Sequence, residues 1–236
     1  MIERPERALV VTAHPDDEVG CAGTVALWTS QGTEIALVVA TNGDKGTEDP
    51  EMTPQRLAEV RQKEQREAAA AIGVHDVVLL GYPDGELEDT RELRGHLVRE
   101  IRRFRPQVVF THASLNRVRP GHRDHRICGT VTLDALYPYA RDVLHFPELN
   151  GNGLQPHKVA TALLWGSDSP EEYVDIGQTI EIKRQAMLLH KSQFVDRPGR
   201  DPNQEPGLFI RENAKRLGER AGLDYAEAFQ KIEFRI

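Results

Sequence analysis

Ala8-Leu9-Val10-Val11-Thr12-Ala13, followed at once by His14-Pro15-Asp16-Asp17-Glu18, is the stretch on which the fold turns. Its first six residues are mostly apolar and show no polar alternation, the pattern of a strand covered on both faces in a parallel sheet. Helices must then lie on both sides of that sheet. The polar run that follows stands beyond a strand's carboxyl end, where open α/β sheets gather their ligands.

Four further runs of similar character, at 35–41, 77–80, 108–111 and 159–165, predict more strands. Between the second and third, Thr53 is an N-cap with Pro54 at the first helical position, and the Ala-rich stretch through Ile72 stops at Gly73. Leu93, Leu97, Ile101 and Phe104 fall at helical spacing and end before Pro106, which predicts a crossover helix over 90–104. Residues 176–190 and 209–221 also read as helices, whereas 192–207 is rich in Pro, Gly and Asp and reads as a loop. Residues 151–156 interrupt the pattern and mark a candidate insertion. Right-handed crossovers turn this order into a doubly wound, mostly parallel α/β sheet. With no internal repeat or strong linker, residues 1–236 read as one domain.

The chain has 236 residues, 39% hydrophobic and 28% charged, the composition of an ordinary globular protein. Thirty Lys and Arg against 37 Asp and Glu give a formal charge of −7, which argues against nucleic-acid or anionic-membrane partners. Cys21 and Cys128 lack CxxC spacing and support neither a disulfide framework nor a thiolate zinc site. The N-terminus offers no signal-like apolar segment, so a cytoplasmic location is expected.

Any one of His14, Asp16, Asp17 and Glu18 has an ordinary explanation, since acidic residues at a helix start complement its dipole. A second cluster changes the balance: Gly121-His122-Arg123-Asp124-His125 lies beyond the fourth predicted strand, so the two can meet in one crevice. Two His and one carboxylate make a catalytic zinc set with one position left for water or substrate, and the same donors also suit iron(II). His122, Asp16 and Asp124 remain as the residue types that hydrolysis uses for base, oxyanion donor and orienting carboxylate.

Ala13-His14-Pro15-Asp16-Asp17-Glu18 with the downstream Gly-His-x-Asp-His resembles the LmbE-like (PIG-L) family of zinc-dependent N-acetylglucosaminyl deacetylases. The similarity continues through Thr41-Asn42-Gly43-Asp44, Arg61-x-x-Glu64, Gly81-Tyr82-Pro83-Asp84-Gly85 and His190-x-Ser192-Gln193, so it spans roughly 10–194. It implies a Rossmann-like three-layer fold and hydrolysis of the N-acetyl group of an amino-sugar conjugate, a small-molecule substrate. It further implies Zn2+ held by His14, Asp17 and His125, with Asp16 as general base. His122 becomes the oxyanion donor, and Asp124 the carboxylate that orients His122 and keeps it protonated. Asp44, Arg61 and His190 are the implied substrate contacts. Kinship also gives the expectation of a homo-oligomer. Where the family often has Pro, this chain has Arg123, which leaves the ligand spacing intact.

Arg61 and Glu64 also fit a plain i, i+3 helical ion pair, Asp44 a turn residue after Asn-Gly, His190 a cation at a helix C-terminus, and His112 a packed residue. A non-catalytic nucleotide- or sugar-binding module is the competing class, but no G-x-G-x-x-G follows the first strand. A serine esterase would need G-x-S-x-G, which is absent.

Overall fold

The computed structural model describes residues 2–114, 121–196 and 205–234. Its elements run β1 (Arg7–Thr12), α1 (Ala22–Ser30), β2 (Glu34–Thr41), α2 (Pro54–Ala71), β3 (Asp76–Tyr82), α3 (Arg91–Phe104), β4 (Val108–His112), α4 (Arg123–Asp134), α5 (Pro147–Gly151), β5 (Thr161–Trp165), β6 (Glu172–Asp175), α6 (Ile180–Leu189), α7 (Lys191–Phe194), α8 (Leu208–Glu219) and β7 (Ala226–Glu233). A 3-10 turn, Asp17–Gly20, links β1 to α1, and α4 continues into a π-helical stretch, Ala135–Ala140.

The seven strands lie in the order β3-β2-β1-β4-β5-β7-β6. β3, β2, β1, β4 and β5 pair in parallel, and β7 joins antiparallel to both β5 and β6. Strand order reverses direction between β1 and β4, the topological switch point where such sheets leave a crevice for ligands. Within β1, Leu9 and Val11 belong to the core under α3 and α4, while Ala8 and Val10 belong to the opposite core with α1. Two apolar cores on two faces are the physical content of the unalternating run, because a period-two strand with both faces buried shows no polar positions.

The two best-marked helices begin at their predicted caps. The Thr53 hydroxyl accepts from the Arg56 amide at 3.3 Å and the Thr90 hydroxyl from the Leu93 amide at 3.1 Å. Gly73, just beyond α2, has φ of 79°, a left-handed conformation that glycine adopts without a steric penalty.

Two predictions need correction and one gains detail. The helix expected over 176–190 starts only at Ile180, because Ile176–Thr179 forms a turn, with the Thr179 amide donating to the Ile176 carbonyl. Residues 151–156, expected as an interruption, start on the last residue of α5, a short helix not foreseen in the sequence that packs Leu149 into the core. The loop expected over 192–207 begins inside the short helix α7, and its stretch 197–204 lies outside the described residues. Cys21 and Cys128 are both free and buried.

Candidate active site

His14 and Asp17 are carried by the turn after β1, His112 ends β4, and His122 and His125 flank the start of α4, so the switch point brings four imidazoles together. His112 stacks on His125 with ring centroids 4.2 Å apart, and His14 stands edge-on to His122 at 4.6 Å. Nδ1 of His14 lies 3.2 Å from Nε2 of His125 and 3.3 Å from Oδ2 of Asp17, and His125 Nε2 lies 3.1 Å from Asp17 Oδ1. Donors in tetrahedral arrangement at ~2.0–2.2 Å from a cation stand ~3.3–3.6 Å apart. His14 meets one oxygen of Asp17 and His125 the other, with all three separations within a few tenths of an ångström of that spacing, so these residues could hold a zinc-sized ion.

Other triplets of metal-capable groups overlap this one: Asp17, His112 and His125; His14, His122 and His125; and His14, Asp84 and Asp124. The Ala13 amide donates to His112 Nε2 at 3.1 Å, and His122 Nδ1 accepts from the Asp124 amide at 3.2 Å. Lone pairs engaged in this way are not free for a metal. On the far side of the His14 ring, Nε2 lies 3.1 Å from Asp84 and 3.3 Å from Asp124. A carboxylate behind a ligating imidazole fixes its tautomer and raises its basicity.

Asp124 serves two histidines: its charge acts to raise the pKa of His122, as expected, and its carboxylate also reaches His14. Asp124 is fully buried, and its Oδ2 accepts from the Gly85 amide at 2.7 Å and lies 3.3 Å from His14 Nε2. His122 stays at the solvent-exposed rim. Burial and the neighbouring His14 and His125 push its pKa down.

The remaining carboxylates divide sharply. Burial raises the pKa of Asp16 to about 7, helped by the adjacent charge of Asp17 and opposed by Arg61 and His190. Burial also acts to raise Asp17, but His112, His125 and His14 around it hold its carboxyl well below the ordinary range. Two adjacent aspartates thus have opposite electrostatic settings. Burial disfavours the charged form of His14, yet its bonds to Asp17 and Asp84 outweigh that and raise it to about 10. Such an acidic cavity attracts cations.

Asp16 sits at φ of 100°, a left-handed conformation that costs a non-glycine residue of order 1–3 kcal/mol. Its turn is clamped by Gln65, whose Oε1 accepts from the Asp16 amide at 3.0 Å, and by Arg61, which donates to the Pro15 carbonyl at 2.6 Å. Arg61 also reaches Gly43 O at 3.0 Å and Asp16 Oδ2 at 3.2 Å, and lies 3.7 Å from Asp84. A side chain at Gly43 would strike that guanidinium at 2.6 Å.

The i, i+3 reading of Arg61 with Glu64 does not hold, because Glu64 instead accepts from the amide and hydroxyl of Ser192 at 2.9 and 2.6 Å. Asp44 accepts from the Asp84 amide at 3.0 Å and so ties two loops together. His190 is fully enclosed, with Nε2 on Glu18 Oε1 at 2.7 Å; no face of it is left for a substrate, contrary to expectation. Sequence reasoning missed Asp84 as a partner of His14. Its signal was the Pro-Asp-Gly turn after the third strand, a pattern that resembles any other turn when read alone.

A family model described as PIG-L: GlcNAc-PI de-N-acetylase matches residues 9–136. A diacetylchitobiose deacetylase from Thermococcus kodakarensis is 30% identical over 232 residues, covering 96% of this chain and 83% of the relative. A mycothiol S-conjugate amidase from Streptomyces coelicolor is 35% identical over 176 residues, covering 65% of this chain and 59% of its own length. Among solved structures, the N,N'-diacetylchitobiose deacetylase from Pyrococcus horikoshii superposes with a TM-score of 0.89 at 30% identity, over 97% of this chain and 84% of that one.

Proposed function

Since the chain belongs to the PIG-L family, we propose that it is a metal-dependent hydrolase that removes the N-acetyl group from an N-acetylglucosamine-type conjugate, releasing acetate and the free amine. The observation that carries this reading is the triangle of His14 Nδ1, the Asp17 carboxylate and His125 Nε2, with pairwise separations of 3.1–3.3 Å. His14, Asp17 and His125 would hold a divalent cation, Zn2+ on the chemistry of the donors, with Fe2+ as the alternative. When bound, such an ion polarises an acetamide carbonyl and makes water more acidic.

The protein's own groups account for the rest. Asp16 has the elevated pKa of a general base and stands beside the cation site, so it takes a proton from the attacking water and returns it to the departing amine. A bound cation adds positive charge beside Asp16 and draws that pKa back down. His122, at the exposed rim above His14, donates to the oxygen on which charge develops. Asp84 and Asp124 hold the His14 ring from behind. Arg61, itself buried, braces Asp16 and Asp84 beside the place for the sugar, and Asp44 holds the Asp84 loop in position.

No helix among the described residues is long and apolar enough to cross a membrane. A small amino-sugar substrate, a cytoplasmic location and a single catalytic domain over 1–236 complete the reading, with self-association left to a sedimentation measurement. The direct test is acetate release from N,N'-diacetylchitobiose and from N-acetylglucosaminides, with and without a chelator. We expect turnover that the chelator abolishes and added Zn2+ restores. Unchanged turnover after complete metal removal would refute the mechanism, and no release from any N-acetylated sugar would refute the substrate class.

A further inference from the structure

Directly behind the reacting groups stand two buried polar residues to which no step has been assigned, although the charge of one of them, His190, acts on Asp16. Glu18 is 1% exposed and His190 0%, and they meet at 2.7 Å although 172 residues apart in sequence. Oε2 of Glu18 and Nδ1 of His190 have no hydrogen-bond partner among the described residues. A buried polar pair that leaves half of its bonding capacity unused is a poor means of gaining stability. Its location offers another reason for it. Glu18 belongs to the 3-10 turn Asp17–Gly20, one residue from Asp17 and two from the left-handed Asp16.

Strained backbone persists only where its surroundings over-determine it. Gln65 holds the Asp16 amide and Arg61 the Pro15 carbonyl, both from α2. His190 holds the other flank, through Glu18. The residues that follow His190 reach outward in turn: Ser192 binds Glu64 of α2, and Gln193 donates to the Gly46 carbonyl at 3.1 Å. Residues 190–193 therefore join the Asp16–Asp17 turn, helix α2 and the loop after β2 at one point.

We infer that His190 and Glu18 are a positioning pair, which locks the turn after β1 so that Asp17 faces the cation site and Asp16 faces the hydrolytic water. The effect on turnover rests on the deacetylase reading; the effect on metal affinity does not. The two glutamine and asparagine replacements of His190 separate position from bulk polarity. Gln carries an amide nitrogen near the place of Nε2 and keeps the bond to Glu18, whereas Asn carries it near the place of Nδ1 and loses that bond.

Metal affinity by chelator competition, kcat and KM per metal-loaded molecule, and melting temperature are to be measured for His190→Gln, His190→Asn, Glu18→Ala and the Glu18→Ala/His190→Asn double variant. His190→Gln should stay within about threefold of the parent, while His190→Asn and Glu18→Ala lose about 10–100-fold in metal affinity and kcat, with KM nearly constant. The double variant should be no worse than the poorer single one, because both remove the same contact. Equal behaviour of Gln and Asn at position 190, multiplying losses, or a lowered melting temperature with unchanged kcat per loaded molecule would each overturn the inference. Should His190→Asn fail to fold, Glu18→Asp, which shortens the acceptor by one methylene, takes its place with the same expectation. An inactive parent protein would count against the deacetylase reading, and the metal-affinity contrast would still decide this one.

Discussion

Asp16 and Asp17 are neighbours in sequence with opposite electrostatic settings, and the cause lies in what each one faces. Three imidazoles surround Asp17 and keep it anionic, whereas Asp16 is buried next to that anion and holds its proton to about pH 7. Asp16→Asn should therefore leave the metal in place and reduce kcat by roughly 10²–10⁴, with little change in KM, as steady-state acetate release and elemental analysis would show. Asp17→Ala should instead give protein purified without stoichiometric metal, since one donor of the triangle and the partner of three histidines are removed together. That His14, Asp17 and His125 come together is legible in the sequence, because one cluster stands just past the first predicted strand and the other beyond the fourth, at the carboxyl ends of a parallel sheet. The second contact of Asp124 is not legible there: helix α4 turns this carboxylate inward to the His14 that the turn after β1 delivers.

Helix α4, which carries His125, packs closely against the end of β4. Gly129 makes that approach possible, since a Cβ there would fall 2.4 Å from the carbonyl oxygen of His112. That contact is backbone on a buried strand and cannot step aside. Gly129→Ala should lower stability by about 1–3 kcal/mol in a denaturant titration and weaken metal binding as His125 shifts away from His14.

Helices α2 and α3 were legible because each begins with Thr at its cap, α2 then running through Ala-rich sequence to Gly73 and α3 keeping an apolar stripe. Helix α1 was not, for a physical reason. It is buried on most of its surface, so it has no polar face to reveal its period, and Cys21 at its cap position makes no side-chain capping bond. The amides of Gly23 and Thr24 are satisfied instead by Glu227 of β7, at 2.9 and 2.8 Å. No local pattern could announce a cap that comes from 203 residues away. β7 was hidden likewise, since AEAFQKIE mixes its buried and polar positions without clean alternation.

Across the whole molecule, one ion pair closes the chain on itself. Glu227 on β7 accepts from Lys183 on α6 at 2.6 Å while capping α1, and both side chains are nearly fully buried. Lys183→Met would leave a buried carboxylate without its counter-charge and should cost about 3–5 kcal/mol in equilibrium unfolding, far more than an exposed pair such as Lys63 with Glu67. Because α1 follows the Asp17–Gly20 turn directly, this closure also fixes the platform on which the catalytic turn rests. The parallel half of the sheet, 3-2-1-4-5, follows from the alternation of strands and helices in the sequence, and that half forms the site. The antiparallel edge, β7 and β6, is set by contacts distant in sequence and lies outside the chemistry. Everything proposed for the reaction depends on a cation between His14, Asp17 and His125. Anomalous diffraction at the zinc absorption edge, from crystals of protein loaded with one equivalent of Zn2+, tests that dependence directly. The account predicts a single strong peak bonded to His14 Nδ1, the Asp17 carboxylate and His125 Nε2, and a peak held by any other set of residues would contradict it.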